Sequence, residues 1–415
     1  MNSWDDLGPG AADLRKRALR AVPGGVYGHN LDKFLWPGAP QFWSRGKGSR
    51  IWDADGNEYV DLMCSWGPIV HGHNHPVVEE AAQRQREKQN TGNGPGEVFV
   101  ELAELLVDTV DHADWAVFAK NGSDVTTLAL TVARAGTGRN TILVARGAFH
   151  GSDPWCNPRE AGLTPGDRAH ITYFDYNNTE SLYKAAEEHA GDLAGIILTP
   201  HRHDAGRPQE EVLPGFARAA RETCDRLGAF LILDEVRTGF RIAFGSSWSA
   251  LGIQPDLSCW SKAIGNGYSV AALLGADSLR EAAQKIYIGG TFWTSSVPLA
   301  ASIASIRLLR SIDGVQKMAR VGQLIVDGIG QQARETGHEV TLSGPPTMPY
   351  LAFADDDQWN KAKRWASDVA RQGVYLNPSH NWFMSTALDD DDVARVLEAT
   401  AKAFRSMPAS VRVPK

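Results

Sequence analysis

Two apolar runs in this chain stop at residues that can do chemistry. Leu231-Ile232-Leu233 ends at the carboxylates Asp234 and Glu235, and Ser258-Cys259-Trp260-Ser261 ends at Lys262, just before the tight Gly265-Asn266-Gly267 turn. A carboxylate at the end of a buried strand needs a partner, because unpaired charge removed from water is costly. A protonated ring nitrogen is one candidate; Arg237 or Arg241 is the structural alternative. A lysine in a similar place is costly unless it is neutralised or used covalently. A third stretch, Ala119-Lys120-Asn121-Gly122-Ser123-Asp124, joins a predicted strand to a predicted helix. Its glycine permits close backbone approach, the helix N-terminus offers unpaired N–H groups, and the Ser123 hydroxyl adds a donor, which together make an anion cradle. In isolation the same residues read as a turn and an N-cap. Phe149-His150-Gly151 follows the next predicted strand and offers a ring that could stack on a flat ligand.

Each signal is modest, but the four fall in one order on one sheet edge. A phosphate anchor, a stacking ring, an acid for a pyridine nitrogen and a lysine for a Schiff base are what a pyridoxal phosphate site requires. Other chemistries are less well supported. His71, His73 and His75 alternate, but Gly72, Asn74 and Pro76 disfavour a regular strand, so hydrogen-bonded loop histidines are expected and no metal site. The acidic run Asp389 to Asp392 opens a predicted helix, where negative charge is favourable. No serine-hydrolase elbow or Walker P-loop occurs.

The elements that would position these residues follow from periodicity. Helices are predicted over Ala11–Val22, Pro76–Gln89 and Val98–Val110, and a hairpin over Arg50–Asp53 and Glu58–Asp61 around Ala54-Asp55-Gly56-Asn57. Strands then alternate with helices: strands Trp115–Ala119, Thr141–Ala145, Ala194–Leu198, Phe230–Leu233 and Val270–Leu274, and helices Ser123–Ala135, Thr179–Ala190 and Pro214–Leu227. This alternation predicts an α/β fold with a mostly parallel central sheet covered on both faces. Ligands in such sheets bind outside the carboxyl ends of the strands. Helices Pro298–Leu309 and Val315–Ala333 follow, then Val340–Leu342, Tyr350–Phe353 and helices Asp357–Gln372 and Asp390–Phe404, which read as a smaller α+β unit.

Size and charge narrow the class. The 415 residues suggest more than one domain, and a net charge of −7 (42 basic, 49 acidic) disfavours nucleic-acid or membrane-surface binding. No apolar run reaches the roughly 20 residues of a membrane span, and the first residues lack a signal-peptide layout. A cytoplasmic protein is expected. Cys64, Cys156, Cys224 and Cys259 are widely separated and suggest neither a zinc ribbon nor a disulfide framework.

Over nearly its whole length the chain resembles the class III pyridoxal phosphate enzymes of fold type I, and most nearly the glutamate-1-semialdehyde aminomutases. The resemblance is carried by Val22-Pro23-Gly24-Gly25-Val26, Gly46-Lys47-Gly48-Ser49-Arg50-Ile51-Trp52-Asp53, Asp55-Gly56-Asn57-Glu58-Tyr59-Val60-Asp61, Ser65-Trp66-Gly67-Pro68 and Gly72-His73-Asn74-His75-Pro76. It continues in Phe149-His150-Gly151, Asp234-Glu235-Val236-Arg237-Thr238-Gly239-Phe240-Arg241 and Ser261-Lys262-Ala263-Ile264-Gly265. It implies an N-terminal segment, 1–75, joining a small domain completed by 311–415, with a large cofactor-binding domain over 76–310. It implies that Lys262 carries the cofactor and moves the proton, and that Asp234 keeps the pyridine nitrogen protonated. Val236 and Phe149 would flank the ring, beside His150, and Gly122 and Ser123 would hold the phosphate. It further implies an obligatory homodimer in which a threonine of the neighbouring subunit reaches the phosphate. Thr291 is the choice and Thr294 the alternative.

The departures concern substrate. The arginine that these aminomutases carry after their P-G-G-V element is replaced at Asn30 and Leu31. Their phenylalanine-glutamate-alanine element is replaced by Pro378-Ser379-His380-Asn381-Trp382-Phe383, their glutamate-proline by Thr199-Pro200-His201, and their threonine-glutamate-alanine by Ser123-Asp124-Val125. Loss of carboxylate anchors points to a substrate recognised through hydroxyls or rings, with Tyr27, His29, Trp66, His201, His380 and Asn381 as candidate pocket residues. The expected activity is transfer of an amino group from a donor such as glutamate to a ketone or aldehyde other than glutamate-1-semialdehyde. A mutase or epimerase acting within one molecule is the alternative. A non-catalytic binding protein is disfavoured by intact Lys262 and Asp234.

Overall fold

The structure, a computed structural model, describes residues 8–31, 35–203, 207–354, 356 and 358–408. The chain opens with helix α1 (Pro9–Ala21) and strands β1 (Trp43–Lys47), β2 (Arg50–Asp53) and β3 (Glu58–Asp61). Helices α2 (Pro76–Lys88) and α3 (Glu97–Val107) lead to strand β4 (Trp115–Ala119), helix α4 (Gly122–Thr137), strands β5 (Thr141–Ala145) and β6 (Ile171–Phe174) and helix α5 (Thr179–Glu188). Next come strands β7 (Leu193–Leu198), β8 (His201–Arg202) and β9 (Glu210–Glu211), helix α6 (Pro214–Leu227), strands β10 (Phe230–Asp234), β11 (Leu257–Trp260) and β12 (Ala271–Gly275), and helices α7 (Arg280–Lys285) and α8 (Ser296–Ser311). The last elements are α9 (Gly314–Glu335), β13 (Val340–Ser343), β14 (Tyr350–Phe353), α10 (Asn360–Arg371), β15 (Val374–Tyr375) and α11 (Asp390–Ser406). Two compact units result, one of Met1–His75, Ala205–Pro208 and Gln316–Lys415, the other of Pro76–Asp204 and Gln209–Val315. Among the described residues no helix is long and apolar enough to cross a membrane.

The unit built from the two chain ends holds a four-stranded sheet in the order β1-β2-β3-β15, with β15 parallel to β3. The β2–β3 turn is organised by Asp53, whose carboxylate accepts the N–H groups of Asp55 and Asn57, both at 2.9 Å, in the way short acidic side chains stabilise turns. The acidic run caps its helix: Asp389 accepts the Asp392 N–H at 2.9 Å. The histidines of the 71–75 stretch serve the loop. His73 Nε2 lies 2.7 Å from the Asp61 carboxylate and His71 Nδ1 lies 3.3 Å from the Thr386 hydroxyl. The expected start of the penultimate helix, Asp357, lies outside the described residues; α10 begins at Asn360 after Trp359, whose φ is 57°.

The middle unit is an α/β layer. Its seven-stranded sheet runs β4-β12-β11-β10-β7-β5-β6. Only β12 runs against its neighbours, β4 and β11; the pairings from β11 to β6 are parallel. Side chains of a strand alternate between faces. Ile142, Val144, Ile197 and Ile232 accordingly pack in one cluster with Leu128 and Val132 of α4. Leu143, Ala145, Ile196, Leu198, Leu231 and Leu233 pack in another with Phe216 and Ala220 of α6. Strands buried on both faces explain the nearly continuous apolar runs in the sequence. Five strands of the described structure escaped the sequence reading: β1 and β6, edge strands of their sheets, and β8, β9 and β15, whose two residues each are too few to show a period.

Candidate active site

Four neighbouring strands of the middle unit end at one edge of the sheet. The registers Val144 with Ile197, Leu233 with Leu198, and Asp234 with Cys259 set β5, β7, β10 and β11 side by side and parallel. Beyond these ends lie Phe149 and His150, His201, Asp234 to Arg237, and Lys262. Strand alternation decides which way the acid faces. Asp234 is two residues from Ile232 and so shares the face covered by α4, whose N-terminus carries Gly122 and Ser123.

Asp234 is 5% exposed, and it is hydrogen-bonded to a histidine from another strand end, a partner not considered from sequence. His150 Nδ1 lies 2.7 Å from Asp234 Oδ2, and the Val236 N–H donates to Oδ1 at 3.0 Å. Each oxygen keeps a lone pair for a further donor. His150 is itself fixed: the Thr126 hydroxyl donates to its carbonyl at 2.8 Å, and its ring lies nearly parallel to Trp155 with centroids 6.2 Å apart. Its Nε2 is buried with no hydrogen-bond partner among the described residues.

Lys262 has φ 49°, in the left-handed region. A non-glycine residue there costs about 1–3 kcal/mol and persists only where its surroundings impose it, a pattern found at functional sites. Burial, then the Arg237 charge, push its ammonium down to about 8; Asp234 pulls the other way and Arg241 adds to the lowering. An appreciable fraction of neutral amine is thereby available near neutral pH.

The cradle is assembled by close approach. Asp124 Oδ2 accepts the N–H groups of Lys120 at 3.1 Å and Asn121 at 2.8 Å, which closes the turn before α4. The Ser152 N–H donates to Ser123 Oγ at 3.0 Å, leaving the hydroxyl proton to donate elsewhere. A Cβ on Gly122 would sit 2.7 Å from Val236 Cγ1, and one on Gly151, at φ 128°, would sit 2.4 Å from Ser123 Oγ. Glycine is required at both positions.

Glu235 points into a separate buried network. Its carboxylate accepts from the Thr238 hydroxyl at 2.6 Å and from Ser246, the Ser247 N–H and the Ser247 hydroxyl at 2.7–3.0 Å. Burial raises its pKa against these bonds. It ties down the loop after β10 and so holds Asp234 and Val236. Beside it, the Arg237 guanidinium donates through Nη2 to the His201 carbonyl. Burial holds Arg237 down to about 10, and burial with the Arg237 charge holds the His201 imidazole down to about 4.

Of the residues singled out from sequence, Asp234, Val236, His150, Gly122, Ser123, Lys262 and His201 therefore lie on the middle unit's strand ends and on α4. Phe149 is there too, but 56% exposed, with its neighbour His150 turned inward. Thr291 is exposed and Thr294 half-buried, both in the turn before α8. Tyr27, Trp66, His380 and Asn381 belong to the other unit. Tyr27 is 81% exposed, Trp66 and His380 pack edge-to-face at 5.0 Å, and Asn381 is fully buried with its amide on the Trp382 carbonyl. The side chain of His29 lies outside the described residues. The contributions of Gly151, Ser152, Thr126 and Glu235 were missed. For Gly151 the signal was present, a glycine directly after a candidate ligand residue.

These residues suit pyridoxal phosphate. Gly122 and Gly151 keep the cradle open, a helix N-terminus and a serine hydroxyl face it, a buried acid lies on the same sheet face, and a lysine of lowered pKa ends the next strand. The comparisons with known proteins agree. The chain matches the family described as Aminotransferase class-III over residues 37–404. It is 46% identical to an aminopentol aminotransferase of Sphingopyxis macrogoltabida over 95% of this chain and 94% of that one. It is 31% identical to a glutamate-1-semialdehyde 2,1-aminomutase of Desulforamulus reducens, over 95% and 97%. Among solved structures, the PLP internal aldimine form of the FumI protein from Sphingopyxis sp. MTA144 superposes with a TM-score of 0.95 at 46% identity, covering 96% of each chain. With the family matched from Pro37 to Phe404, the chain belongs to the class-III aminotransferases.

Proposed function

We propose that this aminotransferase moves an amino group between an amine bearing several hydroxyl groups and an oxo acid, such as the keto acid of glutamate. Pyridoxal phosphate is its cofactor, and an aminotransferase reading is favoured over an aminomutase one by the 46% identity to an aminotransferase against 31% to an aminomutase. The observation that carries the substrate reading is the pattern of replacement. By the resemblance drawn from the sequence, the motifs for the cofactor are kept, while Asn30, Leu31 and His380 to Trp382 fall where the aminomutases would have carboxylate-handling side chains. A relative named for an aminopentol supports the same direction.

Bound pyridoxal phosphate supplies an electron sink for the reacting carbon and stores the amino group between half-reactions. Lys262 is the covalent anchor and the general base: burial and the Arg237 charge disfavour its ammonium, which favours the neutral amine that takes and returns the proton of the reacting carbon. Asp234, braced by His150, keeps a proton on the ring nitrogen. The Ser123 hydroxyl and the first N–H groups of α4 hold the phosphate. Val236, in contact with the Gly122 position, packs against one ring face, and the exposed ring of Phe149 offers a stacking surface for the other. The active form is a homodimer in which Thr291 of the partner subunit, or else Thr294 of the partner subunit, completes the phosphate site.

The test is a single turnover of the reconstituted protein, followed by cofactor absorbance. An amino polyol should convert the cofactor to its amine form, and an added keto acid should convert it back. Lys262→Ala should abolish both. Turnover of glutamate-1-semialdehyde without net use of an amino donor, faster than the polyol reaction, would overturn the reading.

A further inference from the structure

Helix α4 carries more than the cradle. Ser123, Thr126 and Thr127 are spaced i, i+3 and i+4, which puts them on one face of the helix. All three hold the segment that follows β5. Ser123 Oγ accepts the Ser152 N–H at 3.0 Å, the Thr126 hydroxyl donates to the His150 carbonyl at 2.8 Å, and the Thr127 hydroxyl donates to Asp153 Oδ2 at 2.5 Å. The Trp155 indole N–H donates to the same Thr127 oxygen at 2.8 Å. An indole nitrogen only donates and an ionised carboxylate only accepts, so the chain from Trp155 through Thr127 to Asp153 runs in one direction. The Cys156 N–H donates to the Asp153 carbonyl at 2.9 Å and closes the turn that carries Trp155. Trp155 is 8% exposed and packs in the core cluster with Val125, Leu128 and Ala129 of α4. Its ring lies 18° from parallel to the His150 imidazole, with centroids 6.2 Å apart, in the range of offset stacking. The Thr126 bond fixes the backbone of His150 and leaves its ring free to turn. The Nδ1 proton, accepted by Asp234 at 2.7 Å, holds that ring at one edge, and Nε2 makes no hydrogen bond among the described residues. The plane of the imidazole is therefore left to the face contact with Trp155.

We propose that Trp155 is a positioning residue: clamped to α4 through Thr127, it holds the plane of the His150 imidazole so that Nδ1 meets Asp234 and the carboxylate keeps its place for the cofactor's ring nitrogen. The proposed phosphate cradle and the brace of the acid then share one helix face. This deepens the reading above, because it rests on Asp234 meeting the ring nitrogen. Two magnetic-resonance measurements on the protein reconstituted with pyridoxal phosphate test it. The His150 Nδ1 proton should exchange with solvent about tenfold or more faster in Trp155→Leu and in Thr127→Val, as expected for the loss of one hydrogen bond's worth of restraint. It should exchange at the wild-type rate in Thr127→Ser, which keeps the hydroxyl. With the cofactor labelled at its ring nitrogen, that nitrogen's resonance should move toward the position of unprotonated pyridine in Trp155→Leu and Thr127→Val, and stay in place in Thr127→Ser. Thr127→Val nearly keeps the side-chain volume, so it carries the test if the tryptophan variant does not fold. A tryptophan that only fills the core would lower the melting temperature when replaced and leave both signals unmoved, and that result overturns the proposal. Equal movement in Thr127→Ser and Thr127→Val overturns it too, because the hydroxyl would then not be the clamp. Asp234→Asn separates the two readings. If it leaves the ring-nitrogen resonance unmoved, the role of the acid fails and this proposal with it. If it moves that resonance while Trp155→Leu and Thr127→Val do not, this proposal alone is overturned.

Discussion

Lys262 concentrates the cost of this site in one side chain. It sits at a left-handed φ, and its ammonium is held at about 8 against the ordinary 10.5. A lowered lysine pKa means that the protonated form is disfavoured in the folded state. Between about pH 8 and pH 10.5 the unfolded chain binds more protons, so stability rises with pH across that window, and the penalty is complete below about pH 8. Lys262→Met keeps most of the side-chain length and removes the charge. The cofactor-free variant is expected to melt above the cofactor-free wild type at neutral pH, with the gap closing as pH rises through the window. A gap that stays constant with pH would show that the charge is not its cause.

The cradle belongs to elements, not to single groups. Helix α4 contributes its N-terminus, the loop after β5 contributes Gly151 and Ser152, and the loop after β10 contributes Val236. Three backbones meet closely because two positions lack a Cβ. Gly151→Ala would need both a rare φ for alanine and room that Ser123 occupies. It should weaken cofactor binding by about tenfold or more, equivalent to at least ~1.4 kcal/mol, in titrations of the cofactor-free protein. Unchanged affinity would remove Ser123 from the phosphate site. The Glu235 network supports the third segment by pinning Thr238, Ser246 and Ser247 to one buried carboxylate.

For the molecule as a whole, the proposed dimer ties assembly to cofactor binding. The turn before α8 carries Phe292 at 62% exposure and, a little earlier, Tyr287 at 94%. Both rings offer apolar area for a partner subunit to cover. Light scattering is expected to give twice the chain mass, and Thr291→Val to weaken cofactor binding more than Thr294→Val does. A monomer that binds the cofactor with undiminished affinity would refute the shared site.

Much of this protein could be read along the chain, because the signals are local. An apolar run ending in Asp234, a second ending in Lys262, and a glycine and serine opening a helix are each contained within a few residues. So is the alternation of strand and helix that gives a mostly parallel sheet. Strand periodicity puts Asp234 on the face of Ile232, and the structure shows that α4 covers that face. The pairings could not be read in this way. His150 meets Asp234 across 84 positions and Arg237 meets the His201 carbonyl across 36, because β10 lies between β7 and β11 in the sheet and β5 lies beside β7. Strand order is a property of the folded layer, decided by which apolar faces can be buried together, and no residue's neighbours in sequence encode it. The sequence by itself therefore nominated the side chains proposed to carry the chemistry. The tertiary structure decided which of them touch, and so which histidine braces the acid, which carbonyl aims the arginine, and how far the lysine's pKa falls.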